Sequence, residues 1–169
     1  MITISSVVGN VFHDKQLKEK FEKLRKTENC ELIKFSRAEL DKTRIRRNTD
    51  KGTDVGVVID STKRLHNGDI LLSNPEKFII VEQMPEKVIS IKTKRPNENP
   101  ELLVTLGHII GNRHRPIQID KNGRIIFPIL AESELEVFKK LFSKFIDQID
   151  IKVEELIFEP RNGMDVHEH

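Results

Sequence analysis

Imidazole both titrates near neutrality and ligates transition metals, so the six histidines are the first residues to examine for chemistry. Three have suggestive surroundings. His114 closes the segment Asn97–Asp120, NENPELLVTLGHIIGNRHRPIQID, at the point where an apolar helical pattern meets a proline. His167 and His169 stand two apart in the terminal Met164-Asp165-Val166-His167-Glu168-His169, and residues at i and i+2 of an extended segment point the same way. Together they can hold one ion, although a His-x-His pair also suits a solvated end. His108 is six residues from His114, about 240° around an ideal helix, so those two rings are no chelating pair. His66 lies beside an Asn-Gly turn, where an exposed and inert ring is expected.

The elements that must position His114 can be read outward from it. Asn99 followed by Pro100 is a helix opening, because Asn caps free N–H groups and Pro has none to leave unpaired. Leu102, Leu106 and Ile110 recur every fourth residue, with Leu103 and Ile109 beside them, and give the helix an apolar stripe. Pro116 disfavours helical geometry at Arg115, which places His114 in the last turn or just beyond it, near the negative end of the helix dipole. Taken alone, that ring is more readily a polar cap on a core stripe than a ligand.

Composition narrows the function classes. At 169 residues the chain allows one domain or two small ones, with a core built from Ile, Leu, Val and nine Phe in the absence of Trp and Tyr. No apolar run approaches the roughly 20 residues of a membrane helix, and the N-terminus lacks a basic region followed by an apolar one, so a cytoplasmic protein is expected. Cys30, the only cysteine, excludes an intramolecular disulfide and a thiolate zinc cluster within one chain. The net charge of +2 does not announce a polyanion partner. Neither Gly-x-Gly-x-x-Gly nor a phosphate loop occurs, which leaves nucleotide binding without a motif.

Along the chain, strands are expected at Met1–Val8, Glu31–Phe35, Val55–Asp60, Asp69–Leu72 and Lys77–Glu82, with turns at Asp50–Asp54 and Asn67-Gly68. Leu17, Phe21 and Leu24 among many Lys and Glu predict a short amphipathic helix over 14–28. Arg44, Arg46 and Arg47 alternate along an expected edge strand, either as a solubilising edge or as a contact surface for an acidic partner. Pro85 marks a boundary, after which the pattern reads strand, helix, strand, strand, helix, strand, with Ser133 and Glu136 as a capping box for the second helix. That order is ferredoxin-like. The fold class is therefore α+β: a small all-β domain at 1–83, a ferredoxin-like βαββαβ domain at 86–160, and a flexible His-bearing tail at 161–169.

Two segments resemble one known family. LGHIIGNRHRPIQI is similar to the Gly-Asn-Arg-His segment of the urease accessory protein E family, and RIRRNTDKGTDVGV is similar to that family's N-terminal signature. The resemblance covers roughly residues 1–12 and 31–160, with a similar His-bearing tail; the helix over 14–28 departs from the family. It implies a non-enzymatic nickel metallochaperone acting in urease maturation, a homodimer in which His114 and its symmetry mate bind one Ni(II), with His167 and His169 adding ligands. It also implies that the partners are the urease accessory GTPase and the urease apoprotein complex; Zn(II) or Cu(II) can compete for the same ligands, because divalent ions share a preference for imidazole nitrogen. The N-terminal domain, with Arg44, Arg46 and Arg47, would dock a protein, and neither nucleic acid nor membrane is an implied partner. Two alternatives differ in class: a ferredoxin-like RNA-binding module, for which Phe127 is the one candidate stacking ring, and a metallohydrolase built on His108, His114 and Asp120.

Overall fold

The structure, a computed structural model, describes residues 1–95 and 99–160. It divides into two compact units, Met1–Met84 and Pro85–His169.

The first unit is mostly sheet. One three-stranded sheet has the order β1 (Ile2–Ile4), β5 (Asp54–Val58), β4 (Arg44–Asn48), and a four-stranded sheet has the order β2 (Gly9–Asn10), β6 (Asp69–Ser73), β7 (Phe78–Gln83), β3 (Cys30–Phe35). β1 pairs with β5, and β3 with β7, in parallel; the remaining pairs are antiparallel. The near-continuous apolar run Phe78-Ile79-Ile80-Val81 follows from a sheet covered on both faces. Ile79 and Val81 join Ile33, Phe35, Val55 and Val57 in one core, while Phe78 and Ile80 point the other way to join Cys30 and Ile70.

That second face is covered by helix α1 (Lys15–Leu24), whose Leu17, Phe21 and Leu24 pack on it; the rings of Phe21 and Phe78 stack at 6.3 Å. Asp14 caps α1 by accepting from Gln16 N and Leu17 N. The unit is thus not wholly β, and α1 is the cover of a sheet face. A one-turn helix α2 (Arg37–Leu40) follows β3, opened by a capping box between Ser36 and Glu39. β1 is also shorter than the β-branched run Met1–Val8 suggested: after Ile4 the chain leaves the first sheet, and Val8 N donates to Ile70 O of the second.

In the second unit one antiparallel sheet has the order β11 (Ile149–Leu156), β8 (Glu86–Thr93), β10 (Ile125–Pro128), β9 (Gln118–Ile119). Helices α3 (Pro100–Asn112) and α4 (Glu134–Leu141) lie on one face of it, and Leu102, Leu106, Ile110, Phe138 and Phe142 pack onto Ile89, Ile91, Ile125 and Phe127. Ser133 does not cap α4: its backbone is already helical and its hydroxyl makes no capping bond. Glu134, at the first helical position, instead ties down the incoming loop, with Oε1 accepting from Leu130 N at 2.6 Å and Ala131 N at 3.2 Å. After Leu141 the helix tightens to a 3₁₀ segment over Ser143–Gln148, which brings Phe142 and Phe145, three apart, onto the same core.

The opposite face of this sheet carries Gln118, Ile126, Ser90 and Lys152 as one row of register partners. Val88, Ile126 and Phe158 form a small core there, with Leu156 against it.

Candidate metal site

Helix α3 begins where Asn99 Oδ1 accepts from Leu102 N at 3.1 Å with Pro100 at its first position, and it presents Leu102, Leu106 and Ile110 to the core. It ends in a Schellman motif. His114 N donates to Gly111 O at 2.9 Å and Arg115 N reaches back to Ile110 O at 3.4 Å, with Arg113 as the C-cap. The residue in the left-handed position is His114 itself, at φ 53°, the one non-glycine among the described residues with positive φ. Glycine takes that position most cheaply; an L side chain there costs about 1 kcal/mol. A histidine held in the position glycine favours marks this turn as a candidate site.

The fold secures the far side of that turn. Arg115 Nη2 meets Glu134 Oε2 at 2.7 Å, with both side chains about one-fifth exposed, and the other oxygen of Glu134 holds the Leu130–Ala131 backbone. Because one carboxylate serves two loops, Glu134→Ala is expected to destabilise the chain more than Arg115→Ala, by about 2 against about 1 kcal/mol. Urea denaturation of the two variants gives the comparison, and equal losses would mean that the backbone bonds contribute nothing.

The imidazole of His114 is exposed, and α3 has an outer face of unusual make-up. Val104 is 73% exposed and Leu103 39%, while a Cβ built on Gly107 or Gly111 would meet nothing within 4 Å. This Gly-x-x-x-Gly spacing is plain in the sequence once α3 is known to show that side to solvent. His108 is also exposed, and its Nε2 lies within hydrogen-bond distance of the Asn112 amide nitrogen, at 3.0 Å.

Among the described residues no three His, Cys, Asp or Glu side chains gather to hold an ion. The set suggested for a hydrolase does not assemble, because Asp120 is occupied in its own hairpin, accepting from Asn122 N, Arg124 N and Arg124 Nε at 2.8–2.9 Å. Burial would raise its carboxyl, but Arg124 and the two backbone donors outweigh that and hold it below the usual carboxylate range. Cys30 is buried, which pushes its thiol up and away from the thiolate a metal would need. Phe127 is fully buried beneath the helices and cannot stack on a base. His167 and His169 lie outside the described residues.

Of the three arginines on β4, two are committed within the fold. Arg46 forks onto Asp54 at 2.8–2.9 Å; Arg47 bonds Glu39 and Lys34 O and lies over the Phe35 ring. Arg44 is exposed at the outer strand of its sheet. The sequence showed the alternation but not these acidic partners, one from the neighbouring strand and one from the short helix between β3 and β4.

Comparison with known proteins bears on this arrangement. Residues 4–83 match the family model of the UreE urease accessory protein, N-terminal domain. The likeness is to UreE. The urease accessory protein UreE of Natronomonas pharaonis is 30% identical over 135 residues, a match covering 78% of this chain and 61% of that protein. UreE of Yersinia aldovae is 28% identical over 142 residues, covering 80% of this chain and 60% of the relative, and UreE of Yersinia pestis is 26% identical over the same length, covering 80% and 59%. The chain thus spans about three-fifths of the length of the UreE proteins it matches, and the likeness to them runs well beyond the first unit. No helix among the described residues is long and apolar enough to cross a membrane.

Proposed function

We propose that this chain is an accessory chaperone of urease maturation that carries Ni(II) as cargo, held by His114 from each of two subunits. The observation that carries the reading is the exposed imidazole fixed at the end of α3 by a left-handed residue, in a chain whose relatives are named for urease assembly. Nickel suits imidazole nitrogen. One ring is a weak trap, and a two-fold axis doubles it without further sequence.

The outer face of α3 supports that pairing. Two glycines spaced by four let a second helix approach closely, Leu103 and Val104 supply apolar contact, and His114 stands three residues beyond Gly111. An axis beside Gly111 would bring both rings to one ion, with the remaining positions left to His167, His169 or water. An incomplete shell suits a carrier, which has to release what it holds. In this reading the second unit is a ferredoxin-like metal-binding and dimerisation domain over 86–160. Residues 1–83 form the docking domain, met by the accessory GTPase and the urease apoprotein in the cytoplasm, with Zn(II) and Cu(II) as competing cargo. The chain acts as a chaperone and not as a catalyst.

Nickel titration calorimetry on the full chain, combined with light scattering, tests the reading. Wild type should bind one ion per two chains, and Val104→Glu should shift the mass toward monomer while weakening nickel affinity at least tenfold. A monomeric Val104→Glu chain that binds nickel as wild type does would contradict the shared site. Since a proton competes with the metal for each ring nitrogen, affinity should fall on acidification.

A further inference from the structure

A strand edge left open is a template for another chain, and the sheet edges of this protein differ in how they are closed. Edge strands β1, β2 and β9 run for only two or three residues. β3 is covered from outside: Leu32 N donates to Asp50 Oδ1 and Asp50 N to Leu32 O, both at 2.8 Å, and Arg47 Nη1 donates to Lys34 O at 2.6 Å. β4 is guarded by charge, because a second β4 paired antiparallel and centred on any of residues 44–47 sets arginine against arginine. β11 has neither protection. It runs eight residues along β8, and Lys94 N donates to Gln148 O at 3.0 Å just before it begins. Bonded and non-bonded pairs alternate in an antiparallel ladder, so Asp150, Lys152 and Glu154 turn their backbone groups to β8, while those of Ile151, Val153 and Glu155 point outward. No described residue bonds to that outer row.

We infer that β11 is an interaction edge for a second copy of this chain, paired antiparallel about a two-fold axis at Ile151. The segment Ile149-Asp150-Ile151-Lys152-Val153 reads against itself: Ile151 meets Ile151, Ile149 meets Val153, and Asp150 meets Lys152 on either side of the axis. At the axis the two Ile151 residues exchange N–H···O bonds. Directly opposed side chains share a face, so the apolar pairs lie on the helix side, where Ile151 and Val153 already pack against the core. The charges lie on the other face, with the Asp150 and Lys152 side chains 69% and 64% exposed. Neighbouring registers are worse. Centred on Asp150 or Lys152, the pairing opposes that residue to its own copy; centred on Val153, it sets Glu155 against Ile151. Within the subunit Lys152 Nζ meets Glu154 Oε1 at 2.7 Å, and when Lys152 turns to the second copy Glu154 keeps Arg124 at 2.8 Å. The two four-stranded sheets become one. The pairing uses no residue of α3, so it does not rest on the proposed nickel site; where α3 pairs as well, β11 joins two such pairs.

Sedimentation of the full chain without metal, over a range of concentrations, tests the edge. A short strand pairing is a weak contact, so the average mass should climb as the protein is concentrated, in Val104→Glu as in wild type. Lys152→Asp and Asp150→Lys each set like charges across the axis and should weaken this association about tenfold. Nickel affinity of both variants in dilute solution should stay at the wild-type value, which separates this contact from the metal site. The chain carrying both changes restores opposite charges and should associate within about twofold of wild type. An equimolar mixture of the two single variants should form a mixed pair, although each fails alone. A wild-type mass that does not climb overturns the inference, as do single variants that associate like wild type. A double variant as weak as the singles, or a mixture that stays unassociated, overturns it equally.

Discussion

A chain carrying His114→Gly is expected to be more stable than wild type by about 1 kcal/mol and to bind nickel at least a hundredfold more weakly. The two effects have separate physical origins. The gain comes from the backbone: at φ 53° the histidine Cβ crowds its own carbonyl, and glycine removes that crowding while the Schellman bonds to Gly111 O and Ile110 O remain. The loss comes from the side chain, since each subunit gives up the ring proposed to hold the ion. Thermal denaturation and calorimetry read the two quantities independently. His114→Ala separates them further, because alanine loses the ligand and keeps the strained backbone, so its stability should stay near wild type. A His114→Gly protein that melts lower than wild type would mean that the imidazole makes a stabilising contact; one that retains tight nickel binding would end the proposal that His114 is the ligand.

The second large effect is in the first unit. Glu31 is buried, with Oε1 on Lys77 Nζ at 2.5 Å and Oε2 accepting from Thr49 Oγ1 at 2.6 Å; Lys77 also donates to Thr53 Oγ1 at 2.6 Å. Burial alone would raise the Glu31 carboxyl, but the bonds from Lys77, Thr49 and Thr53 outweigh it and the group sits below its ordinary range. A carboxyl whose folded pKa is lowered contributes stability above its unfolded pKa, and that contribution is lost as pH falls through the folded value. Glu31→Gln should therefore cost about 3 kcal/mol at pH 7, because it strands the Lys77 ammonium in a partly buried position. The difference from wild type should shrink as the solution is taken below about pH 4, where the wild-type carboxyl also begins to protonate. Urea denaturation at pH 7 and pH 3.5 measures both, and a gap that stays constant between them would exclude the linkage.

The parts of this structure that were legible in the sequence are those governed by local chemistry. The caps and stripe of α3 were readable because Asn99, Pro100 and the four-residue spacing of Leu102, Leu106 and Ile110 act within one turn of each other. The turns at Asp50–Asp54 and Asn67-Gly68 were readable because their glycines, Gly52 and Gly68, take positive φ. What sequence patterns could not supply was anything set by a distant partner. Pro116 announced that α3 must stop, yet nothing in the pattern chose His114 for the left-handed position. Ser133 and Glu136 had the right spacing for a capping box, but Glu134 was already drawn to Arg115, nineteen residues earlier in the chain, and took over the Leu130–Ala131 backbone on the way. The arginines of β4 looked like a free basic edge until the fold brought Asp54 and Glu39 against two of them. The packing of Phe158 on Val88 and Ile126, and the bond from Glu159 N to Gln118 Oε1 beside it, were hidden for the same reason, since these partners are at least thirty residues apart in the chain.

The buried state of Cys30 has a consequence for the traffic of metals. With the chain's one thiol enclosed under α1 and kept protonated, the described surface offers nitrogen and oxygen donors but no thiolate. Copper in its monovalent form would find no thiolate there, and disulfide reagents would find no accessible thiol to capture. If the proposed nickel reading holds, a buried thiol leaves the metal site without a sulfur ligand to oxidise, so nickel affinity is expected to be the same with and without a thiol reductant.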